Sequence, residues 1–306
     1  MRGILALPLI LTVAASALLA QDAPPTFKAS VARVTLSATV KTTRGRPVTT
    51  LKAADFELRD SGNLVPIVDF RTEPTPVSIG FLVDFSGSMG IAARRAAARE
   101  QMHHLISWLQ PGEDRAGLFV FDKGLKTLQP LAPAPGSIMA HLDNVQKPFG
   151  ATSLWDAIAE TGKLLASSSG PRRAVVALTD GSDNASRLTP AEVSGIASSI
   201  DVPVYIIVVV SPYDVDGRKP LDEAALDALV TGPLGNLARW TGGEIYTGLG
   251  PAQASKVASQ LVSELRQQYL IAFEPGSRPG WHPIDLRTKN EDHIVRTRGG
   301  YVVNGN

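Results

Sequence analysis

Residues 77–90 read Val-Ser-Ile-Gly-Phe-Leu-Val-Asp-Phe-Ser-Gly-Ser-Met-Gly. Val77 to Val83 is a near-continuous apolar run without alternation, the pattern of a strand buried on both faces of a sheet. The run ends in a carboxylate, and a polar turn carries Asp84, Ser86 and Ser88 at alternate positions. Gly87 eases the backbone between the two hydroxyls. The stretch from Ile91 to Leu109, rich in Ala and Arg, then reads as a helix. In an open α/β sheet, ligands bind outside the carboxyl ends of the strands. One carboxylate and two hydroxyls converging there form an oxygen-only donor set, which suits Mg²⁺, Mn²⁺ or Ca²⁺.

Downstream, the same grammar repeats. Gly117–Phe121 and Leu125–Leu131 read as strands, Ser153–Ala166 as a helix and Ala174–Leu178 as a strand. Pro190–Ser199 reads as a helix, and Val202–Val210 is the strongest strand in the chain. Leu221–Thr241 is helical with a break near Gly232-Pro233, Glu244–Tyr246 a short strand, and Pro251–Gln268 a helix. Alternation on this scale predicts a doubly wound, mainly parallel sheet with helices on both faces.

Upstream, the period changes to two. Ala32, Val34, Leu36, Ala38 and Val40 fall on one face of a half-buried strand. Phe56–Arg59 and Leu64–Phe70 flank Asp60-Ser61-Gly62-Asn63, a hairpin signal. The tail turns β again through Tyr269, Ile271, Phe273, Ile284–Leu286 and Ile294–Arg296. A lone three-stranded tail would be marginal. Residues 269–303 are therefore expected to pair with residues 27–72, forming one small β-sandwich-like domain split by an α/β segment at residues 75–267.

Two further stretches complete the polar turn. Gly150-Ala151-Thr152-Ser153-Leu154-Trp155-Asp156-Ala157 precedes a helix and offers the Thr152 hydroxyl. Leu178-Thr179-Asp180-Gly181 closes a buried strand and offers the Asp180 carboxylate. The three motifs D-x-S-x-S, G-x-T-x-L-x-D-A and T-D-G, in this order at strand ends, resemble the metal-ion-dependent adhesion site of a von Willebrand factor type A domain. The resemblance implies that Ser86 and Ser88 bind the metal directly, Thr152 directly or through water, and Asp84 and Asp180 mostly through water. It implies Mg²⁺, with Mn²⁺ or Ca²⁺ as substitutes, and a partner Asp or Glu carboxylate that completes the octahedron. The flanks add Arg46-Pro47-Val48, Ala54–Asp60, Gln268–Phe273 and Arg298–Tyr301. With these, nearly the whole chain resembles the exported VWFA-related proteins known chiefly from Acidobacteria. Gly62-Asn63 departs from the Gly-Lys type of hairpin more usual there.

Other readings are weaker. Ser88 with Gly90 suggests a nucleophile elbow, but position 86 is Ser where that motif needs Gly. No His follows a late strand of the α/β segment to act as its base. The chain is thus read as a binding module and not an enzyme. The alternatives are a cell-envelope structural or assembly protein with a stabilising metal site, and a metal-assisted hydrolase. His103-His104 are adjacent on a helix and point about 100° apart, so they do not chelate together. Residues 212–223 mimic a calcium loop through Asp214, Asp216, Gly217 and Glu223, but Pro212 occupies the first ligand place. Arg94-Arg95 and Arg99 read as a solvated helix face.

Composition sets the outer limits. The chain has 306 residues, 44% apolar and 19% charged, with 30 Lys plus Arg against 29 Asp plus Glu. That balance offers no overall field for nucleic acid or anionic lipid. The absence of Cys excludes disulfides, Cys-ligated metals and thiol nucleophiles. Arg2 precedes an uncharged run at residues 4–20, broken by Pro8 and short of the about 20 residues a helical span needs. Residues 1–20 read as a secretory signal peptide cleaved after Ala17 or Ala20, with an uncleaved anchor as the weaker alternative. The expected mature protein is secreted or periplasmic and has no membrane span.

Overall fold

The computed structural model describes residues 33–133, 136–145, 150–168, 170, 172–209, 223–247 and 251–303. The expected signal peptide and the calcium-loop mimic up to position 222 lie outside these residues. The chain opens with β1 (Val34–Thr42), β2 (Phe56–Asp60), β3 (Asn63–Leu64) and β4 (Asp69–Arg71). It continues through β5 (Ser78–Asp84), α1 (Ala92–Ser107), β6 (Arg115–Phe121) and β7 (Leu125–Pro133). Next come α2 (Ile138–Asp143), α3 (Leu154–Ala166), β8 (Arg173–Thr179), α4 (Pro190–Ser199) and β9 (Val204–Val208). Then follow α5 (Glu223–Thr231), α6 (Pro233–Thr241), β10 (Ile245–Tyr246) and α7 (Pro251–Arg266). The chain closes with β11 (Tyr269–Phe273), β12 (Gly280–Thr288), β13 (His293–Arg296) and β14 (Gly300–Val303).

Six strands form one sheet in the order β10-β9-β8-β5-β6-β7. All neighbours are parallel except β6 and β7. β5 lies inside the sheet with every residue buried, which is why its sequence shows no alternation. Ile79, Phe81 and Val83 point toward Met102 and Leu105 of α1 and Leu261 and Leu265 of α7. Leu82 faces Leu154, Ile158 and Leu165 of α3 and Leu237 of α6. Complete burial of one such side chain contributes about 1.5–3 kcal/mol. Gly80 has its own reason: a Cβ there would stand 2.9 Å from a methyl of Leu165, so the missing side chain lets α3 approach.

The flanking strands build two further sheets, β13-β1-β11-β4 and β14-β12-β2-β3. β1 is antiparallel to β11, with Leu36 opposite Ile271, and to β13, with Val40 opposite Val295. β2 is antiparallel to β12. Leu36, Ala38, Val40, Ile271 and Phe273 of the first sheet share a core with Phe56, Leu58, Leu286 and Tyr301 of the second. The period of two in β1 is thus the signature of one sandwich face. The chain leaves this framework at β4 and re-enters at β11, and these two strands are hydrogen-bonded neighbours.

Three details differ from the sequence reading. Leu64–Phe70 is not one strand, because Pro66 has no N–H to donate. β3 stops at Leu64 beside β2, while β4 joins the other sheet beside β11. α2 and β14 were not foreseen as elements. α2 is six residues long and buries Ile138 and Leu142, with Met139 partly packed beside them, too short a stretch for a helical period to register.

Polar contacts join the sandwich to the elements of the six-stranded sheet. Lys41 of β1 reaches Glu244 at 2.7 Å and Glu264 of α7 at 2.9 Å. Arg296 of β13 pairs with the same two carboxylates. Only Gln267 and Gln268 separate α7 from β11. Among the described residues, no helix is long and apolar enough to cross a membrane.

Candidate functional site

The loops after β5 and β8 and the loop before α3 meet at one edge of the central sheet. Asp84 is the last residue of β5 and is 2% exposed. Its Oδ1 accepts the Ser86 N–H at 2.8 Å, closing the turn. Its Oδ2 accepts the Thr179 hydroxyl from the end of the neighbouring β8 at 2.7 Å. The turn places the Ser86 and Ser88 hydroxyl oxygens 3.1 Å apart. The Gly87 N–H donates to the Gly150 carbonyl at 3.0 Å, which brings the third loop alongside. A Cβ on Gly87 would lie 3.3 Å from that oxygen, so this approach favours glycine.

Asp180 follows β8 directly and accepts the Ser182 N–H on Oδ1 at 3.0 Å. Thr152 is held from both sides of its peptide. Its N–H donates to Asn184 Oδ1 at 2.8 Å, and its carbonyl accepts the N–H groups of Asn184 and Ala185. Asp156, one helical turn on, accepts the N–H groups of Arg187 and Leu188. The Asp of G-x-T-x-L-x-D-A thus ties the start of α3 to the loop after β8. Its role here is to support the loops.

Burial pushes the Asp84 carboxyl up to about 6. Hydrogen bonds from Ser86 and Thr179 pull it back in part, and the nearby Asp180 charge adds to the rise. A carboxylate so placed gains from a positive neighbour. The donor set is hard oxygen throughout, as Mg²⁺ and Mn²⁺ prefer. The 3.1 Å between the two serine oxygens matches the about 3 Å between adjacent vertices of an octahedron with 2.0–2.1 Å bonds. These residues fit a divalent cation. Among the described residues no group of three His, Asp or Glu side chains gathers to hold a metal; the set here pairs two carboxylates with hydroxyls.

One functional residue was misread from the sequence. Arg94 is not on a solvated face; it is 3% exposed. Its Nη1 donates to Asp180 Oδ2 at 2.7 Å and to the Ser88 carbonyl at 3.0 Å. It is only the third residue of α1, so it sits over the strand ends instead of along the helix flank. Arg95 is exposed as expected, and Arg99 pairs with Asp143 at the surface. Thr179 and Asn184 were also missed. Their side chains bond across loops, which no local spacing reveals.

The five predicted residues therefore sit on three loops at one sheet edge. Asp84, Ser86 and Ser88 are joined by direct hydrogen bonds. Asp180 is joined to Ser88 through Arg94. Thr152 is placed by Gly150 and Asn184.

A family model described as von Willebrand factor type A domain matches residues 79–182. No curated protein matches the sequence. Among solved structures, the chain is similar to an aerotolerance-related membrane protein from Bacteroides fragilis at 20% identity, covering 61% of this chain and 98% of that one, with a TM-score of 0.46. It is similar to a von Willebrand factor type A protein from Catenulispora acidiphila at 13% identity, covering 90% of this chain and 74% of the other, with a TM-score of 0.48. A third is the manganese-loaded TRAP protein of Plasmodium vivax, at 16% identity, covering 79% and 98%, with a TM-score of 0.46.

Proposed function

We propose that this chain, whose residues 79–182 match a model of the von Willebrand factor type A domain, is an exported protein-binding module that grips a partner's Asp or Glu carboxylate through a divalent cation. Asp84, Ser86, Ser88, Thr152 and Asp180 hold that cation, which is Mg²⁺, with Mn²⁺ or Ca²⁺ as substitutes. The observation that carries the reading is the pair of serine hydroxyls 3.1 Å apart beside the buried Asp84. The cation supplies a Lewis-acidic centre for the partner's oxygen. The chain's own residues set its strength. Neutral hydroxyls at the centre quench little of the positive charge, and the two carboxylates stand behind them. Thr179 and the Ser86 N–H keep Asp84 fixed, so little rearrangement accompanies binding.

The reading is one of binding and not catalysis. His103, His104 and His141 lie on α1 and α2, and His282 and His293 lie on sandwich strands, so no imidazole stands on the three loops as a general base. The reading also places the protein outside the cytoplasm, on the strength of residues 1–20. N-terminal sequencing of the mature product is expected to begin at Leu18 or Gln21, and an intact Met1 on a cytoplasmic product would refute export.

Calorimetry and melting test the site. One saturable site for Mg²⁺ or Mn²⁺ is expected. At a cation concentration about ten times Kd, mass action adds about 1.4 kcal/mol of stability. For a chain of this size that is a rise in Tm of roughly 2–4 °C. Asp84→Ala removes both the binding and the rise. Absence of saturable binding to the parent protein, or undiminished binding to Asp84→Ala, defeats the proposal.

A further inference from the structure

We infer that Arg94 sets how the site divides its affinity between cation and partner: its fixed charge weakens binding of the cation alone and strengthens the hold of the bound cation on a carboxylate. This inference rests on the metal-site reading above.

The argument begins with the buried charges. Asp84 and Asp180 bring two negative charges to the loops, and Arg94 brings one positive charge among them. The Arg94 and Asp180 side chains are 4% and 6% exposed. An arginine keeps its charge under all working conditions, so these three buried side chains sum to a single negative charge. A divalent cation placed on a doubly negative set would leave it neutral. Placed here, it leaves a net positive charge. An incoming carboxylate then neutralises the site instead of making it negative. At a few ångströms, and with the partial screening of a protein surface, one unit charge changes binding by tenfold or more.

Arg94 is built to stay. Nη1 is shared between Asp180 Oδ2 and the Ser88 carbonyl. The side chain leaves α1 two residues after its first, so its reach is short and its anchor rigid. Asp180 also accepts Ser182 N–H on its other oxygen, so the salt bridge leaves the loop conformation intact. Arg95, the next residue, is exposed. Arg94 acts here as a positioning residue; it reaches the cation through Asp180 and through the field.

The test is calorimetric titration of the full chain with Mn²⁺, with acetate as the carboxylate probe and chloride at matched ionic strength as its control. Arg94→Gln removes the charge but keeps a donor toward Asp180. Arg94→Met is the second neutral variant, should the first fail to fold, and Arg94→Lys retains the charge. The parent is expected to bind Mn²⁺ about tenfold more tightly with acetate than without, on the Coulomb scale above. The neutral variants are expected to bind Mn²⁺ alone about tenfold more tightly than the parent and to gain under threefold from acetate. Arg94→Lys should keep the parent's pattern. Neutral variants that bind Mn²⁺ no more tightly than the parent overturn the inference, as do variants that gain as much from acetate. If neither the parent nor any variant binds Mn²⁺, it is the metal-site reading itself that fails.

Discussion

His282 is buried with both ring nitrogens engaged. Nδ1 lies 2.9 Å from Asp60 Oδ1, and Nε2 lies 2.7 Å from the Arg278 carbonyl. A carbonyl and a carboxylate only accept, so the ring satisfies both when it is doubly protonated. The Arg278 carbonyl contributes most to raising the imidazole above its usual 6.5; burial and the Arg278 charge oppose the rise, and Asp60 reinforces it. Burial pushes Asp60 up, but hydrogen bonds from Tyr301, His282, Gly276 and Ser61 more than offset it, leaving it below 3.8. The raised His282 adds stability below 6.5 that is lost as pH rises through its folded value. The lowered Asp60 adds stability above 3.8 that is lost as pH falls. Melting at about pH 5 and about pH 8 should therefore favour the acidic condition more in the parent than in His282→Asn. An equal difference in the two proteins would show that the pair is inert. Neither this pair nor Arg94 could be read from spacing. Asp60 and His282 are 222 positions apart, and the orientation of Arg94 depends on where α1 starts relative to the strand ends. By contrast, Asp84, Ser86 and Ser88 share one turn, so the order of residues alone brings their oxygens together.

The same contrast holds for the elements. β5 and β9 were readable because double burial removes alternation, and α5 and α6 because Gly232-Pro233 interrupts them where one helix ends and the next begins. α4 carries a capping box in which Thr189 and Glu192 satisfy each other's N–H groups, and its limits match those read from the sequence. β4 was misread because its partner, β11, is far along the chain. α7 is the element most constrained by distant groups. Its Glu264 receives Lys41, Arg296 and the Tyr205 hydroxyl, and its Arg266 pairs with the fully buried Asp114. Two anchors in one helical turn resist any sliding of this helix against the sheet. Glu264→Ala takes one carboxylate from the half-buried Lys41 and Arg296 and removes the acceptor of the buried Tyr205 hydroxyl, and it is expected to cost about 3 kcal/mol in chemical denaturation. A loss under about 1 kcal/mol would mean that the anchor is dispensable, as many exposed pairs are.

At the scale of the whole molecule, the sandwich depends on strands from both ends of the described chain. Among the described residues, the strands that pair with β1 are β11 and β13. Deleting residues 269–306 removes both and also leaves β2 without β12. The truncated protein is expected to aggregate, because unpaired edges template association. Retention of full solubility and of the β signal in circular dichroism would contradict this dependence. The parallel-rich sheet and the antiparallel sheets of the flanks were readable because the period of the sequence switches twice. The arrangement of the sandwich strands into two sheets was not, since it depends on which distant strand completes each edge. The return of the chain at β11 also has a consequence in time. Leu36 waits for Ile271, 235 residues later; at about 5–20 residues per second that is roughly 10–50 s of synthesis. Throughout that interval the first four strands exist as adhesive, unfinished chain, and whatever escorts the nascent polypeptide must shield them until the last strands emerge.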